Sequence, residues 1–229
     1  MRLHRFVEKF NTVENYEITD RERINQISKV LRLNIGDKII LTDGEGQEAE
    51  AEIIAISKKA ISVKIGKVVK KQEDWNNVVL YCNILKRENF ELVVQKATEM
   101  GVAKIVPLLC ERTVKQKINH QRLEKIIEEA VEQSERVFIP KLDEEMKFKN
   151  AITEAKRGGE IILFEKNGEN SAKLKSSKTI SIFIGPEGGW TTEEIKLAKD
   201  AGAIIKSLGE TNLRAETAAI VSTFITINK

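Results

Sequence analysis

The sequence predicts an α/β protein: a small all-β domain over residues 1–72, then a domain over residues 73–229 built on a mostly parallel sheet. Three observations support this. Residues 1 to about 70 read as short strands at close spacing broken by turn residues, as in a small barrel. From Asn76 onward strand patterns alternate with helix patterns, which implies helices on both faces of a parallel sheet. Near the C-terminus two stretches, Ile184-Gly185-Pro186-Glu187-Gly188-Gly189-Trp190 and Leu208-Gly209-Glu210-Thr211-Asn212-Leu213-Arg214-Ala215-Glu216-Thr217-Ala218, sit where an apolar run gives way to a helical pattern. In α/β proteins that crevice, at the carboxyl ends of strands, is where ligands bind.

In the first domain, Glu22–Leu33 is helical in pattern, with Ile24, Ile27, Val30 and Leu31 on one face and Asp20 or Thr19 as its cap. Asn34-Ile35-Gly36-Asp37 turns into a strand at Lys38–Thr42. Asp43-Gly44 suits a hairpin turn, and Glu48–Ser57 alternates as the return strand. Lys58-Lys59 turns again before Ala60–Ile65. The segment Lys67–Asn77 is charged, weakly patterned and contains Trp75, which places the domain boundary there.

In the second domain, strands are expected at Val78–Leu85, Lys104–Leu109, Glu160–Phe164, Thr179–Ile184 and Ala203–Leu208. Helices are expected at Glu88–Met100, Gln121–Glu135, Phe148–Ala155, Thr192–Ala201 and Leu213–Thr226. Gly101 and Gly202 stand where glycine ends a helix. Thr191 with Glu194 three residues on makes a capping box, and Glu193 and Glu194 suit the positive end of the helix dipole. Asn167–Lys178 is polar and long enough for an exposed loop.

Composition narrows the function. With 41% hydrophobic residues the chain can fill an ordinary core, and its length is comfortable for two domains. No apolar run is long enough to span a bilayer and no signal-peptide pattern stands at the start, so a cytoplasmic location is expected and no membrane partner. Cys82 and Cys110 fall on strand-like runs and read as buried thiols in a reducing compartment. The net charge of +3 is small, and residues 1–75, with 14 basic and 13 acidic side chains, form no basic tail. Nucleic-acid binding would therefore need a local patch.

Several chemistries drop out. Gly44-Glu45-Gly46-Gln47-Glu48-Ala49 matches a dinucleotide fingerprint in letters only, because a strand-like segment follows where a helix should open. There is no phosphate-binding GxxxxGK[ST] loop. His4 and His120 are the only histidines and are far apart, so neither a Cys/His zinc cluster nor a Ser–His–Asp arrangement is expected, and no metal. Group transfer from an activated cofactor fits what is left, because positioning and a good leaving group supply much of the rate.

The motifs resemble those of the RsmE-type ribosomal RNA methyltransferases, members of the knotted SPOUT superfamily. The resemblance runs nearly end to end: His4-Arg5-Phe6; Val30-Leu31-Arg32 with Gly36-Asp37; Gln95 through Val102; Pro107 with Glu111-Arg112; Glu129 through Arg136 with Pro140; the GPEGG loop; and Leu213 through Ala218. It departs from the family pattern at Asn25-Gln26-Ile27, Leu123 and Asn212.

The resemblance implies a C-terminal SPOUT domain tied in a deep trefoil knot, preceded by a PUA-like β-barrel. It implies S-adenosyl-L-methionine as cofactor, held by Leu163, Phe164, Gly185, Glu187, Gly188, Leu208, Gly209, Asn212 and Leu213. It implies methylation of N3 of a uridine in small-subunit (16S) ribosomal RNA. Arg214, at a helix start, is the candidate for contacting the uracil and steadying its developing anion; Glu216, or Glu187, is the candidate proton acceptor. His4, Arg5, Arg23 and Arg32, with Arg112 and Arg136 nearer the cleft, are the candidate RNA contacts. The family works as a homodimer with its C-terminal helix in the interface, for which Ala215, Ala218, Ala219, Ser222 and Phe224 offer small and apolar surface. Two other readings stand beside this one: a knotted methyltransferase with another rRNA or tRNA target, and a non-catalytic RNA-binding ribosome-assembly protein. A pure binding module would not need the glycine loops, which argues against the second.

Overall fold

Alternation of apolar and polar residues along Gln47–Ile56 and Ile61–Ile65 dictates a sheet with one buried face. In the computed structural model, which describes residues 3–10, 14–72, 77–114, 116–169 and 179–228, that sheet has five strands. They are β1 (His4–Val7), β2 (Asn15–Ile18), β3 (Lys38–Thr42), β4 (Gln47–Ile56) and β5 (Ile61–Lys70), in the order β1-β3-β4-β5-β2. β1 runs parallel to β3, and the other pairings are antiparallel. Register shifts between β4 and β5 at Ala49/Ala51 and Ile53/Ala55 bend the ladder. Its buried face carries Phe6, Ile18, Ile39, Leu41, Ile53, Ile61 and Val63. The hairpin expected at Asp43-Gly44 is present: the Asp43 carboxylate accepts the amides of Glu45 and Gln47 at 2.7 and 2.8 Å. Gly44-Glu45-Gly46 is thus a turn between strands, with no helix opening after it.

The helix expected at Glu22–Leu33 is shorter and changes pitch. It opens as α1 (Arg21–Asn25), capped by Asp20, and continues as a π-turn over Gln26–Val30. Leu31 N–H donates to Gln26 O, five residues back, at 2.8 Å. The wider pitch keeps Ile27 buried but swings Val30 out, leaving it 73% exposed against the expected apolar face. Arg32 follows in the left-handed region at φ 56°.

The remaining elements are β6 (Asn77–Asn83), α2 (Arg87–Met100), β7 (Lys104–Leu109), α3 (His120–Gln133), β8 (Lys141–Leu142), β9 (Met146–Lys147), α4 (Phe148–Gly158), β10 (Glu160–Glu169), β11 (Thr179–Ile184), α5 (Thr192–Asp200), β12 (Ile204–Lys206) and α6 (Ala215–Ile227). The sheet order is β12-β10-β11-β6-β7-β8, with β9 also on β7, and every pairing is parallel. Tyr81 and Phe183, opposite each other on β6 and β11, stack at 4.4 Å and join Phe148, Trp190 and Leu163 in the core under α4 and α5. α2 and α6 pack together, with α6 against β6 and β11. The Thr191/Glu194 capping box forms, and Gly101 ends α2 at φ 105°. β10 extends to Glu169, into the segment expected to be loop; the rest of that segment, and Trp75 at the expected boundary, lie outside the described residues.

The chain forms two compact units, Met1–Glu73 with Val131–Ile139, and Asp74–Ala130 with Pro140–Lys229. The end of α3 and the residues after it thus belong with the first sheet, where Phe138 bridges Glu45.

Candidate active site

Two parallel strands end on either side of β10, which runs on to Glu169: Phe164 of β10 pairs with Ile184, the last residue of β11, and with Lys206, the last residue of β12. The chain leaves this row through the two glycine-rich loops, and between them lies a cavity of about 320 Å³. Its walls include Phe164, Ile184, Gly185, Glu187, Leu208, Gly209, Asn212, Leu213 and Arg214, so most of the expected cofactor and catalytic residues meet in one place. Leu163, Gly188 and Glu216 do not line it: Leu163 is in the core and Glu216 is buried in the first turn of α6.

The first loop is rigidly propped. Gly189, at φ 70°, donates its amide to Pro186 O at 2.8 Å and closes a tight turn. A Cβ at Gly185 would lie 2.8 Å from the Trp190 indole, so glycine is required for that ring to pack there. Trp190 Nε1 in turn donates to Phe164 O at 2.9 Å and ties the loop to the middle of β10. Arg112 Nη1 donates to Gly188 O at 2.6 Å. Trp190 and Arg112 were invisible as loop supports in the sequence, because their hydrogen-bond partners Phe164 and Gly188 lie 26 and 76 residues away.

The second loop turns on Ser207, whose hydroxyl accepts the Gly209 amide at 3.2 Å and donates to Gly209 O at 2.9 Å. Gly209 adopts φ 127°, which disfavours any side chain. Nothing lies within 4 Å of where its Cβ would stand, so the main chain is open to a ligand. Arg214 is the N-terminal flanking residue of α6 and makes no side-chain cap. It is exposed at the cavity edge, beside the positive end of the helix dipole. Cys82 is fully buried; desolvation pushes its thiol up, assisted by the Glu187 and Glu216 carboxylates, so it is inert. Cys110 is only half-buried, but desolvation raises its thiol too.

The arrangement suits a small molecule with an apolar end and a polar end: Leu208, Leu213 and Ile184 stand among freed peptide groups and carboxylates. The comparisons name the class. A family model described as an RNA methyltransferase domain matches residues 71–226, and one described as an RNA methyltransferase PUA domain matches residues 18–66. The chain belongs to the RsmE-type ribosomal RNA methyltransferases.

It is 32% identical over 216 residues to ribosomal RNA small subunit methyltransferase E of Rickettsia conorii, covering 90% of this chain and 86% of that one. It is 29% identical over 223 residues to the Bacillus subtilis protein of the same name, covering 87% and 84%. A ribosomal RNA small subunit methyltransferase E from Neisseria gonorrhoeae, crystallised bound to S-adenosyl methionine, superposes with a TM-score of 0.89 at 25% identity over 98% of this chain and 97% of that one. Membership makes the protein an S-adenosylmethionine-dependent ribosomal RNA methyltransferase. The cavity fits that cofactor on its own terms, through the open main chain at Gly209 and the mixed apolar and polar walls.

The family's RNA-facing candidates separate on burial. His4 and Arg32 are exposed, and Arg136 is half-buried. Arg5 and Arg23, by contrast, are ion-paired inside the first unit. Arg5 pairs with Glu48 at 2.7 Å. Arg23, 9% exposed, pairs with Glu132 at 2.7 Å and Glu8 at 3.5 Å and lies over the Phe6 ring. Glu132 also accepts the Val7 amide at 2.9 Å. The Glu129–Arg136 motif therefore serves packing through Glu132. His120 Nε2 lies 3.5 and 3.7 Å from carboxylate oxygens of Glu144 and Glu145, the one His/acid cluster of ligand spacing among the described residues.

Proposed function

We propose that the protein methylates N3 of a specific uridine in small-subunit (16S) ribosomal RNA, with S-adenosylmethionine held between residues 185–190 and 208–214. The observation that carries this is the meeting of both glycine loops and Arg214 on one cavity at the carboxyl ends of β11 and β12, beside Phe164 of β10. S-adenosylmethionine supplies an electrophilic methyl group on a good leaving group.

The rest falls to the protein. A uracil N3–H is hidden in a base pair, so the nucleotide must be unpaired or extruded. As N3 loses its proton, charge spreads to the flanking carbonyl oxygens. Arg214 is read as the group that meets that charge, a role supported by its position at the positive end of α6. Its own very high pKa makes it a poor base. Of the two candidate acceptors, Glu187 is exposed and lines the cavity, whereas Glu216 is buried and does not, so Glu187 is the better placed.

The PUA-like unit over residues 1–72 is read as the RNA-docking part, with His4 and Arg32 on its surface. The C-terminal strands are read as a trefoil knot, a reading supported by the two glycine loops crowding one cavity beside β10. A homodimer through α6 is supported by Phe224, 55% exposed on an otherwise largely apolar helix; light scattering at the mass of one chain would refute it. No helix among the described residues is long and apolar enough to cross a membrane. A ribosomal substrate would place the work in the cytoplasm.

Calorimetry with S-adenosylmethionine on wild type and Arg214→Ala tests the reading. Both should bind the cofactor with similar affinity, while the variant's kcat falls about 100- to 1,000-fold, the usual effect of removing one anion-stabilising donor. Loss of cofactor binding in Arg214→Ala would move the residue out of the uracil-facing role.

A further inference from the structure

We infer that Arg112 is a positioning residue for the cofactor loop: it clamps Gly188 and Trp190 and so holds the Gly185–Trp190 turn in its binding shape. Three observations converge on it. Its Nη1 donates to Gly188 O at 2.6 Å and, more weakly, to Trp190 O at 3.5 Å. Its side-chain carbons lie 3.4 and 3.6 Å from the Cβ position of Gly188, so the arginine stem rests on that glycine. The backbone beside it is anchored as well, because Glu111 N–H donates at 3.0 Å to Glu194 Oε1. The other oxygen of Glu194 closes the capping box by accepting the Thr191 amide at 2.9 Å. The Glu111-Arg112 pair therefore grips the chain on both sides of Thr191.

The clamp reaches the cavity through Trp190. That side chain packs on Gly185 and donates to Phe164 O, so Arg112, Trp190 and Phe164 form one chain of contacts from the β7–α3 connection to the middle of β10. Gly188 itself does not line the cavity, but its neighbours Glu187 and Gly189 do. A guanidinium–carbonyl bond of this length is charge-assisted and stronger than a neutral one. Glycines at 185, 188 and 189 leave the loop little stiffness of its own. An external clamp supplies that stiffness and spares the cofactor the cost of ordering the loop.

The role rests on the cofactor reading for its consequence but not for its existence, and the test separates the two. Hydrogen–deuterium exchange of the cofactor-free protein follows the amides of residues 185–191 in wild type and Arg112→Ala, with Arg112→Met as a second variant that keeps the stem on Gly188. S-adenosylmethionine affinity by calorimetry, and affinity for isolated small ribosomal subunits, are measured in parallel. The expected result is faster exchange in that segment alone and cofactor affinity about tenfold weaker, with RNA affinity within about twofold of wild type. Exchange at wild-type level in both variants overturns the clamp, whatever the cofactor does. Unchanged exchange with lower RNA affinity would make Arg112 a phosphate contact instead. Faster exchange in a protein that takes up no S-adenosylmethionine would uphold the clamp and count against the cofactor reading alone.

Discussion

Arginines that look alike in sequence sit in opposite surroundings here. Arg214 keeps its charge at a cavity edge, while Arg23 is 9% exposed between Glu132 and Glu8. What distinguishes them is the partner, and for Arg23 it lies in a segment more than a hundred residues away that joins the first sheet only after folding. Local pattern cannot reveal that. The glycine at 185 was legible, because a β-branched run broken by glycine and proline leaves few alternatives; the indole that demands it was not. Removing the Arg23 charge takes the cation away from the buried Glu132 and the half-buried Glu8. Arg23→Met is expected to lower stability by about 3–5 kcal/mol in urea unfolding, with affinity for ribosomal subunits changed only through the lost fold. A variant with wild-type stability but weaker RNA binding would restore Arg23 to the RNA surface.

Among the elements, those set by neighbouring residues were readable and those set by distant contacts were not. The capping box of α5, the glycine end of α2 and the strand β11 came from local signals. The π-turn after α1 did not, because nothing in Gln26–Val30 separates a pitch of four residues from five. β8 and β9 are two residues each, too short for periodicity to show. They position Asp143, which with Glu154 of α4 binds Lys104 at the start of β7, at 3.0 and 2.8 Å. Burial acts to raise the Asp143 carboxyl, but hydrogen bonds from Lys141 and Lys104 outweigh it and hold the group below its ordinary value. The Lys104 hydrogen bond does the same for Glu154. Depressed carboxylates stabilise the fold above their unfolded pKa values, and that stability is lost as pH falls through the folded values. Unfolding midpoints should therefore drop below pH about 4.5 in wild type. The drop should be shallower in Lys104→Met; superimposable acid limbs would show that the pair is not linked to folding.

At the scale of the whole molecule, the two units match two chemical demands. A mixed sheet with an exposed Arg32 and His4 belongs to the unit matched by the PUA model, and a parallel sheet with one glycine-walled cavity belongs to the methyltransferase model. Both the alternation of strand and helix and the two glycine loops were present in the sequence, because each is written in consecutive residues. Their meeting on one cavity was implied only by the family resemblance, because the sheet order that brings it about, with β10 between β11 and β12, is not written in consecutive residues. The most direct measurement is transfer of labelled methyl from S-adenosylmethionine to isolated small ribosomal subunits, followed by digestion and identification of the labelled nucleoside. The expected product is N3-methyluridine, at a single position of the 16S RNA. Label on a ribose or on another base, or none in the RNA while the cofactor binds, would contradict the account.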